Sequence, residues 1–226
     1  MAAARSLITT YGPDSPFAEA YRYLRTSLVL PNGGPPPRVL AVVAARPGTG
    51  ASTTAANLAI AMVEVSRKVL LVDADLRRPA LARLLGVKPE PGLAEVLAGQ
   101  VVLSRAVQAT PVEGLWLLTA GKPHRRALAD LELGFPALVA AMREAFDFVV
   151  VDTPAAALFP DALLIAPHVD GVALVARAQE PRSPAFDDVR RRLEQGHAPV
   201  LGVVFNHVHP EDDEVLRYYR EYATAR

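Results

Sequence analysis

Six apolar residues, Val39–Ala44, run without a break into Ala45-Arg-Pro-Gly-Thr-Gly-Ala-Ser-Thr-Thr54, and the helix-forming Ala55-Ala-Asn-Leu-Ala-Ile60 follows directly. No other feature confines the fold as tightly. It sets a strand end against a helix N-terminus, where Gly48 and Gly50 let successive backbone N–H groups face one anion and the helix dipole adds to their pull. This is the architecture of a phosphate-binding P-loop. Ser52 stands where such a loop places its magnesium-ligating hydroxyl. The Gly-Lys-Ser/Thr core, however, reads Gly50-Ala51-Ser52, so the lysine is absent. On this segment alone, an ordinary strand-to-helix turn rich in Gly, Ser and Thr remains an open reading.

The rest of the chain alternates between two kinds of segment. Short β-rich runs occur at Val69–Val72, Leu115–Leu118, Phe148–Val151, Val172–Val175 and Val200–Phe205, and helical stretches at Pro16–Leu30, Thr53–Val65, Phe135–Phe146 and Pro184–Gln195. Continuous apolar strands alternating with helices predict an α/β fold, a mostly parallel sheet with helices on both faces. Pro31-Asn-Gly-Gly-Pro-Pro-Pro37 reads as a linker, and the stretch from Pro89 to Leu133 has the least legible pattern. With 51% hydrophobic and 21% charged residues the chain has material for a core and is not globally disordered. Lys+Arg and Asp+Glu both number 24, which argues against a broadly basic surface for nucleic acid. The absence of Cys excludes a disulfide scaffold, a thiolate zinc site and a Cys nucleophile. The apolar runs are strand-length, far below the ~20 residues that cross a bilayer, and Met1–Arg5 precedes no signal-like apolar run. The expectation is a single cytoplasmic domain without nucleic acid.

Two further segments add carboxylates. Lys68-Val-Leu-Leu-Val-Asp-Ala-Asp-Leu-Arg-Arg-Pro79 puts Asp73 and Asp75 at the carboxyl end of a buried strand, the edge where open α/β sheets bind ligands. Phe146-Asp-Phe-Val-Val-Val-Asp-Thr-Pro154 repeats the pattern with Asp152. Taken singly, each Asp has the alternative of capping the next helix. In this order behind a Gly-rich loop, they read as the carboxylates that organise magnesium and its waters in phosphoryl transfer.

Pro47-Gly-Thr-Gly-Ala-Ser-Thr-Thr-Ala-Ala-Asn-Leu-Ala59, the Asp73-Ala-Asp-Leu-Arg-Arg-Pro79 segment and Phe146–Pro154 together resemble the bacterial tyrosine kinase family of capsule and exopolysaccharide synthesis. That family lies within the P-loop NTPase group that includes the partitioning ATPases. The resemblance runs from about Ser6 to the C-terminus. It implies ATP and Mg2+ as cofactors, with phosphate contacts from Gly48, Thr49, Gly50, Ala51, Ser52 and Thr53. It implies magnesium organisation by Ser52, Asp73 and Asp152, and Asp75 as the base that takes the tyrosine proton. Asn206 is expected at the adenine edge with Arg177 nearby; their alternatives are a turn residue and a surface cation. Glu19, Arg22 and Arg25 match the family's E-x-x-R-x-x-R motif and imply a ring-like homo-oligomer. Their spacing puts them on one helix face, which a merely solvated face would share. Tyr218, Tyr219 and Tyr222 are similar to the family's C-terminal phosphoacceptor cluster; an amphipathic terminal helix is the alternative. His207 and His209 stand two apart without a third ligand, as surface-loop residues do.

The resemblance divides the chain into an N-terminal oligomerisation helix and linker (1–37), a nucleotide-binding core (38–209) and a tyrosine-bearing tail (210–226). It implies an autokinase working with a membrane-embedded polysaccharide chain-length regulator, which would recruit it to the inner face of the membrane. Ala51 is the serious departure. Loss of one preorganised charged donor costs ~2.7–4 kcal/mol in the transition state, about 10²–10³ in rate. Arg46, five residues earlier, is the first candidate for a substitute cation, within the chain or across subunits. A non-catalytic nucleotide-binding scaffold and a partitioning-type ATPase are the rival readings, the second disfavoured by the Asp73–Pro79 segment and the tyrosine tail.

Overall fold

Every residue of Val39–Ala44 (β1) is buried, and its side chains leave alternately for two different cores. Val39, Ala41 and Val43 belong to one, Leu40, Val42 and Ala44 to the other, as in a strand covered on both faces. The computed structural model describes residues 7–12, 14–30, 35–179 and 183–208. Its sheet holds β1 together with Val69–Asp73 (β2), Gln108–Ala109 (β3), Leu115–Leu118 (β4), Phe148–Asp152 (β5), Gly171–Arg177 (β6) and Val200–Asn206 (β7). The order is β3-β4-β2-β5-β1-β6-β7, and every pairing is parallel except β3 against β4. The expected α/β architecture is the one observed.

Helices cover both faces. Pro16–Val29 (α1), Ala51–Val63 (α2) and Leu81–Leu85 (α3) pack with Leu40, Leu71 and Val150 on one side. Leu93–Leu97 (α4), Leu103–Ala106 (α5), Ala127–Ala145 (α6), Asp161–Ile165 (α7) and Pro184–Gln195 (α8) pack with Ala41, Val72 and Val151 on the other. In α2 every residue from Thr54 to Met62 is buried, so it is a central helix and its apolar character runs all the way round. Helix α8 is the opposite case, burying Phe186, Val189 and Leu193 along one stripe. Ser15 and Ser183 cap α1 and α8 by accepting from the backbone N–H groups of Ala18 and Phe186.

Several boundaries differ from the sequence expectation, and the two helix starts that move most have a local cause. Helix α2 begins at Ala51 rather than Thr53 because Gly50, at φ +88°, makes the turn and leaves helical geometry open immediately behind it. Helix α6 begins eight residues earlier than Phe135, since Ala127, Leu131 and Phe135 continue the buried stripe of Leu138 and Met142. It carries Pro136 on an exposed face of its interior. Strands β6 and β7 run on to Arg177 and Asn206. The region from Pro89 to Leu133 contains, besides β4 and the start of α6, the short elements α4, α5 and β3, and the segment that opens α4 is fastened to residues just after β4. Leu93 N donates to Thr119 O at 2.7 Å, Ala94 N to Ala120 O at 3.0 Å, and the Thr119 hydroxyl to Pro89 O at 2.8 Å.

Helix α1 is tied to α2 by charge as well as by packing. Arg22 Nη2 lies 3.0 Å from Glu64 Oε1 and Arg25 Nη1 2.7 Å from Glu64 Oε2, while Arg25 also donates to Ala61 O at 2.6 Å. Glu19 pairs with Arg22 one turn away. The three residues do share a face, but both arginines are engaged inside the chain, with Glu64, whose carboxyl the Arg22 contact holds below its ordinary range. These pairs are partly exposed and are each worth at most about 1 kcal/mol.

The core predicts its own weak point. Leu71 is fully buried on β2 beneath α2. Leu71→Ala should cost about 2–5 kcal/mol through lost burial and the cavity left behind. Urea unfolding should show a lower midpoint with an unchanged m-value.

Candidate functional site

Five strand ends meet at one edge of the sheet, because all five strands concerned run parallel. The loop after β1, Asp73 closing β2, Asp152 closing β5, Arg177 closing β6 and Asn206 closing β7 all lie there. This is where a parallel sheet gathers its ligand-binding groups.

The loop after β1 is bent by Gly48 (φ +76°) and Gly50 (φ +88°), backbone conformations that a Cβ strains. Gly50 has no room for one either, since a Cβ there would lie 2.1 Å from Asn206 Nδ2. Gly50 O accepts the first helical bond from Thr54 N at 2.8 Å, and no side chain caps α2. The first-turn N–H groups therefore find no acceptor within the helix and point out of its end. A cavity of about 550 Å³ opens above them, lined by Gly48–Thr53 together with Arg46, Asp75, Arg78, Thr153, Ala155 and Phe159.

Asp73 and Asp152 are register partners on adjacent strands, and both are wholly buried. Their situations differ. Asp73 Oδ2 accepts from Ala80 N (3.1 Å) and Leu81 N (3.0 Å), and Oδ1 from Asp75 N (3.3 Å). Burial pushes its carboxyl up to about 6 against the pull of those N–H groups, and the nearby Asp75 charge adds to the rise. Neither oxygen of Asp152 has a hydrogen-bond partner among the described residues. Burial, and then the charge of Asp73, push it well above the ordinary carboxylate range; the neighbouring Ser52 hydroxyl opposes this without reaching hydrogen-bond geometry. A buried carboxylate left without a hydrogen bond is a strong acceptor for a cation. With the Ser52 hydroxyl it offers the hard oxygen ligands that Mg2+ takes. No cluster of three or more His, Asp or Glu side chains forms a metal cage among the described residues. Magnesium needs none, since it keeps most of its waters and binds through one or two carboxylates plus substrate phosphate.

Asp75 Oδ1 accepts from Arg77 N (3.1 Å) and Arg78 N (2.9 Å), which folds the loop after β2 against the cavity. Arg177 and Asn206 have partners other than the base that the resemblance implies. Arg177 Nη2 donates to Gly48 O at 3.0 Å and Asn206 Nδ2 to Thr49 O at 2.9 Å. The extra length of β6 and β7 carries both side chains back over the glycine loop, which they fasten. Arg46 lines the cavity as well. Tyr218, Tyr219 and Tyr222 lie outside the described residues, as does His209.

Among the lining residues not singled out from the sequence, three bring polar or aromatic side chains. Arg78 and Phe159 line the loop cavity, as does Thr153, whose hydroxyl donates to Val42 O at 3.0 Å. The signal for Arg78 was the doubled arginine of Leu76-Arg-Arg-Pro79; Phe159 gave none. Its ring carries Arg77, 4.3 Å from the centroid, and Arg77 Nη2 lies 3.1 Å from the buried Asp161 Oδ2.

The AAA domain family matches residues 37–169, more than half of the chain. Among curated proteins, the succinoglycan biosynthesis transport protein ExoP of Rhizobium meliloti (strain 1021) is 33% identical over 205 residues, 89% of this chain and 26% of ExoP. The chain thus spans about a quarter of that relative's length. The tyrosine-protein kinase YwqD of Bacillus subtilis (strain 168) is 31% identical over 208 residues, 89% of this chain and 86% of YwqD. Among solved structures, the kinase domain of Escherichia coli tyrosine kinase ETK aligns with a TM-score of 0.81 and 30% identity, covering 88% of this chain and 78% of that one. The septum site-determining protein MinD from Pyrococcus horikoshii, complexed with Mg-ADP, aligns at 0.66 and 26%, covering 82% and 86%. Among the described residues no helix is long and apolar enough to cross a membrane.

The buried carboxylates predict a pH signature. Asp73 is raised from 3.8 to about 6 by folding, and Asp152 is raised in the same sense. A raised carboxyl stabilises the fold below its ordinary pKa, and that contribution is lost as pH climbs through the folded value. For Asp73 the loss is on the order of 3 kcal/mol. The melting temperature in EDTA should therefore fall from pH 4 to pH 7. Asp152→Asn should flatten the fall and melt higher at pH 7, as read by scanning calorimetry of both proteins across that range.

Proposed function

Because this chain belongs to the bacterial tyrosine kinase family of P-loop ATPases, we propose that it binds Mg-ATP over the β1–α2 loop as a tyrosine autokinase of polysaccharide synthesis whose transfer of the γ-phosphate is impaired by Ala51 in place of the loop lysine. The observation that carries this reading is Asp152, a buried carboxylate without a donor, one strand from a glycine loop that presents unpaired N–H groups. Residues 38–209 would form the nucleotide-binding core, 1–37 the oligomerisation helix and linker, and 210–226 the acceptor tail.

Ser52 and Asp152 would hold magnesium, with Asp73 close behind. When bound, the ion neutralises charge on the β- and γ-phosphates. Backbone N–H groups from Gly48 to Thr53 bind the phosphate oxygens, and the α2 N-terminus orients them. Asp75 lines the same cavity with Oδ1 occupied by the Arg77 and Arg78 N–H groups. Its Oδ2 would accept the proton of the attacking tyrosine. Tyr218, Tyr219 and Tyr222 are the proposed acceptors. A ring of copies would form through the Glu19/Arg22/Arg25 face, and Arg22 and Arg25 would then exchange or share the Glu64 contact that they make within the chain. A membrane-embedded polysaccharide chain-length regulator is the proposed partner.

Ala51 favours a second reading, a nucleotide-binding scaffold whose transfer step is silent. Mass spectrometry of the C-terminal peptide after incubation with Mg-ATP separates the two. The chain as it stands should carry little or no phosphotyrosine, and Ala51→Lys should raise transfer about 10²-fold or more, because it restores a preorganised cation at the developing charge. Adding Asp75→Asn to that variant should abolish transfer while Mg-ATP binding remains. Binding of nucleotide without phosphotyrosine in Ala51→Lys would select the scaffold. Failure of both chains to bind ATP by calorimetry would end the nucleotide reading.

A further inference from the structure

We propose that Arg78 replaces the lysine missing from the glycine loop, reaching the phosphates of the bound nucleotide from the opposite wall of the cavity. This rests on the nucleotide-binding reading. Arg78 lines the cavity that the glycine loop floors, although it comes from the loop after β2. Ala51 brings no charge to that cavity, whose walls include Asp75 and Arg46, while the buried Asp73 and Asp152 close the strands β2 and β5 close to Asp75. A polyphosphate entering there meets the Asp75 carboxylate, with two more buried close by, and needs fixed positive charge in return.

The two arginines that follow Leu76 are used differently. Arg77 is committed to Asp161 and to the face of Phe159. The exposed Arg78 side chain has no carboxylate partner among the described residues, while its main chain is held firmly. Asp75 Oδ1 takes its N–H at 2.9 Å, and one turn on Asp73 Oδ2 takes those of Ala80 and Leu81. The segment is therefore hung from the same carboxylates that shape the site, and a long, unspent cation is delivered from a fixed base. A guanidinium suits the task, since it stays charged and can grip two phosphate oxygens at once.

Calorimetric titration of the whole chain with Mg-ADP and with adenosine tests the assignment. Arg78→Ala should weaken Mg-ADP at least tenfold and leave adenosine unchanged, with Arg78→Lys intermediate and Arg83→Ala, on the exposed side of α3, indistinguishable from the parent. In an Ala51→Lys background the Arg78→Ala loss should shrink to less than threefold, because the lysine then supplies the charge; a purely structural role for Arg78 would keep the loss undiminished. Equal Mg-ADP affinity for the parent and Arg78→Ala overturns the proposal and leaves the nucleotide site standing. So does equal weakening of adenosine and Mg-ADP, or a parent that binds only after Ala51→Lys. No binding by any of these proteins removes the nucleotide site itself, and the Arg78 assignment with it.

Discussion

Two carboxylates buried side by side at the ends of β2 and β5 set the terms for everything around them. Neither Asp73 nor Asp152 is accessible, they are register partners, and a third carboxylate, Asp75, stands two residues on. Such a group is costly in a protein interior unless something answers its charge. The chain answers Asp73 with three backbone N–H groups and leaves Asp152 without any. That asymmetry is the functional content of the pair. One carboxylate organises the loop that follows β2, and the other, on the proposed reading, would meet a cation that arrives with its phosphate.

The glycine loop is built on a complementary principle. Its conformation is fixed from outside, by Arg177 and Asn206 reaching back from β6 and β7 to the carbonyls of Gly48 and Thr49. With the carbonyls turned outward to those two side chains, the N–H groups of the α2 first turn are left for an anion. A Cβ at position 50 would push Asn206 off its bond to Thr49 O, on top of the strain of a φ of +88°. Three strands, β1, β6 and β7, thus converge on one loop.

Ala51 alters the balance of this arrangement more than its shape. The backbone cradle, the Ser52 hydroxyl and the carboxylates survive without a lysine, so the geometry for holding a nucleotide is separable from the charge that speeds transfer. The same separation runs through α1, where Arg22 and Arg25 already have Glu64 to answer them inside the chain. A contact with another copy would have to compete with that tie.

The apolar runs of β1, β2, β4 and β5, the Gly48–Gly50 turn and the Asp-terminated strand ends were legible in the sequence because each is a local pattern: strand periodicity, a bend that demands glycine, a charge at the end of an apolar run. The α/β fold follows from those patterns, and so does the gathering of Ser52, Asp73 and Asp152 at one edge. The short elements between Pro89 and Leu133 were not legible, since Leu93, Ala94 and Thr119 hold them through bonds to residues far away in the chain. Nor were the different fates of Asp73 and Asp152, two strand-end carboxylates of the same apparent kind that are told apart only by which backbone donors the folded chain brings to each. Arg177 and Asn206 as fasteners of the glycine loop, and Arg78 rather than Arg77 as the unspent cation, were likewise decided by tertiary structure. A residue's type sets what it can bind, but partners more than a hundred residues apart in sequence meet only once the sheet has closed.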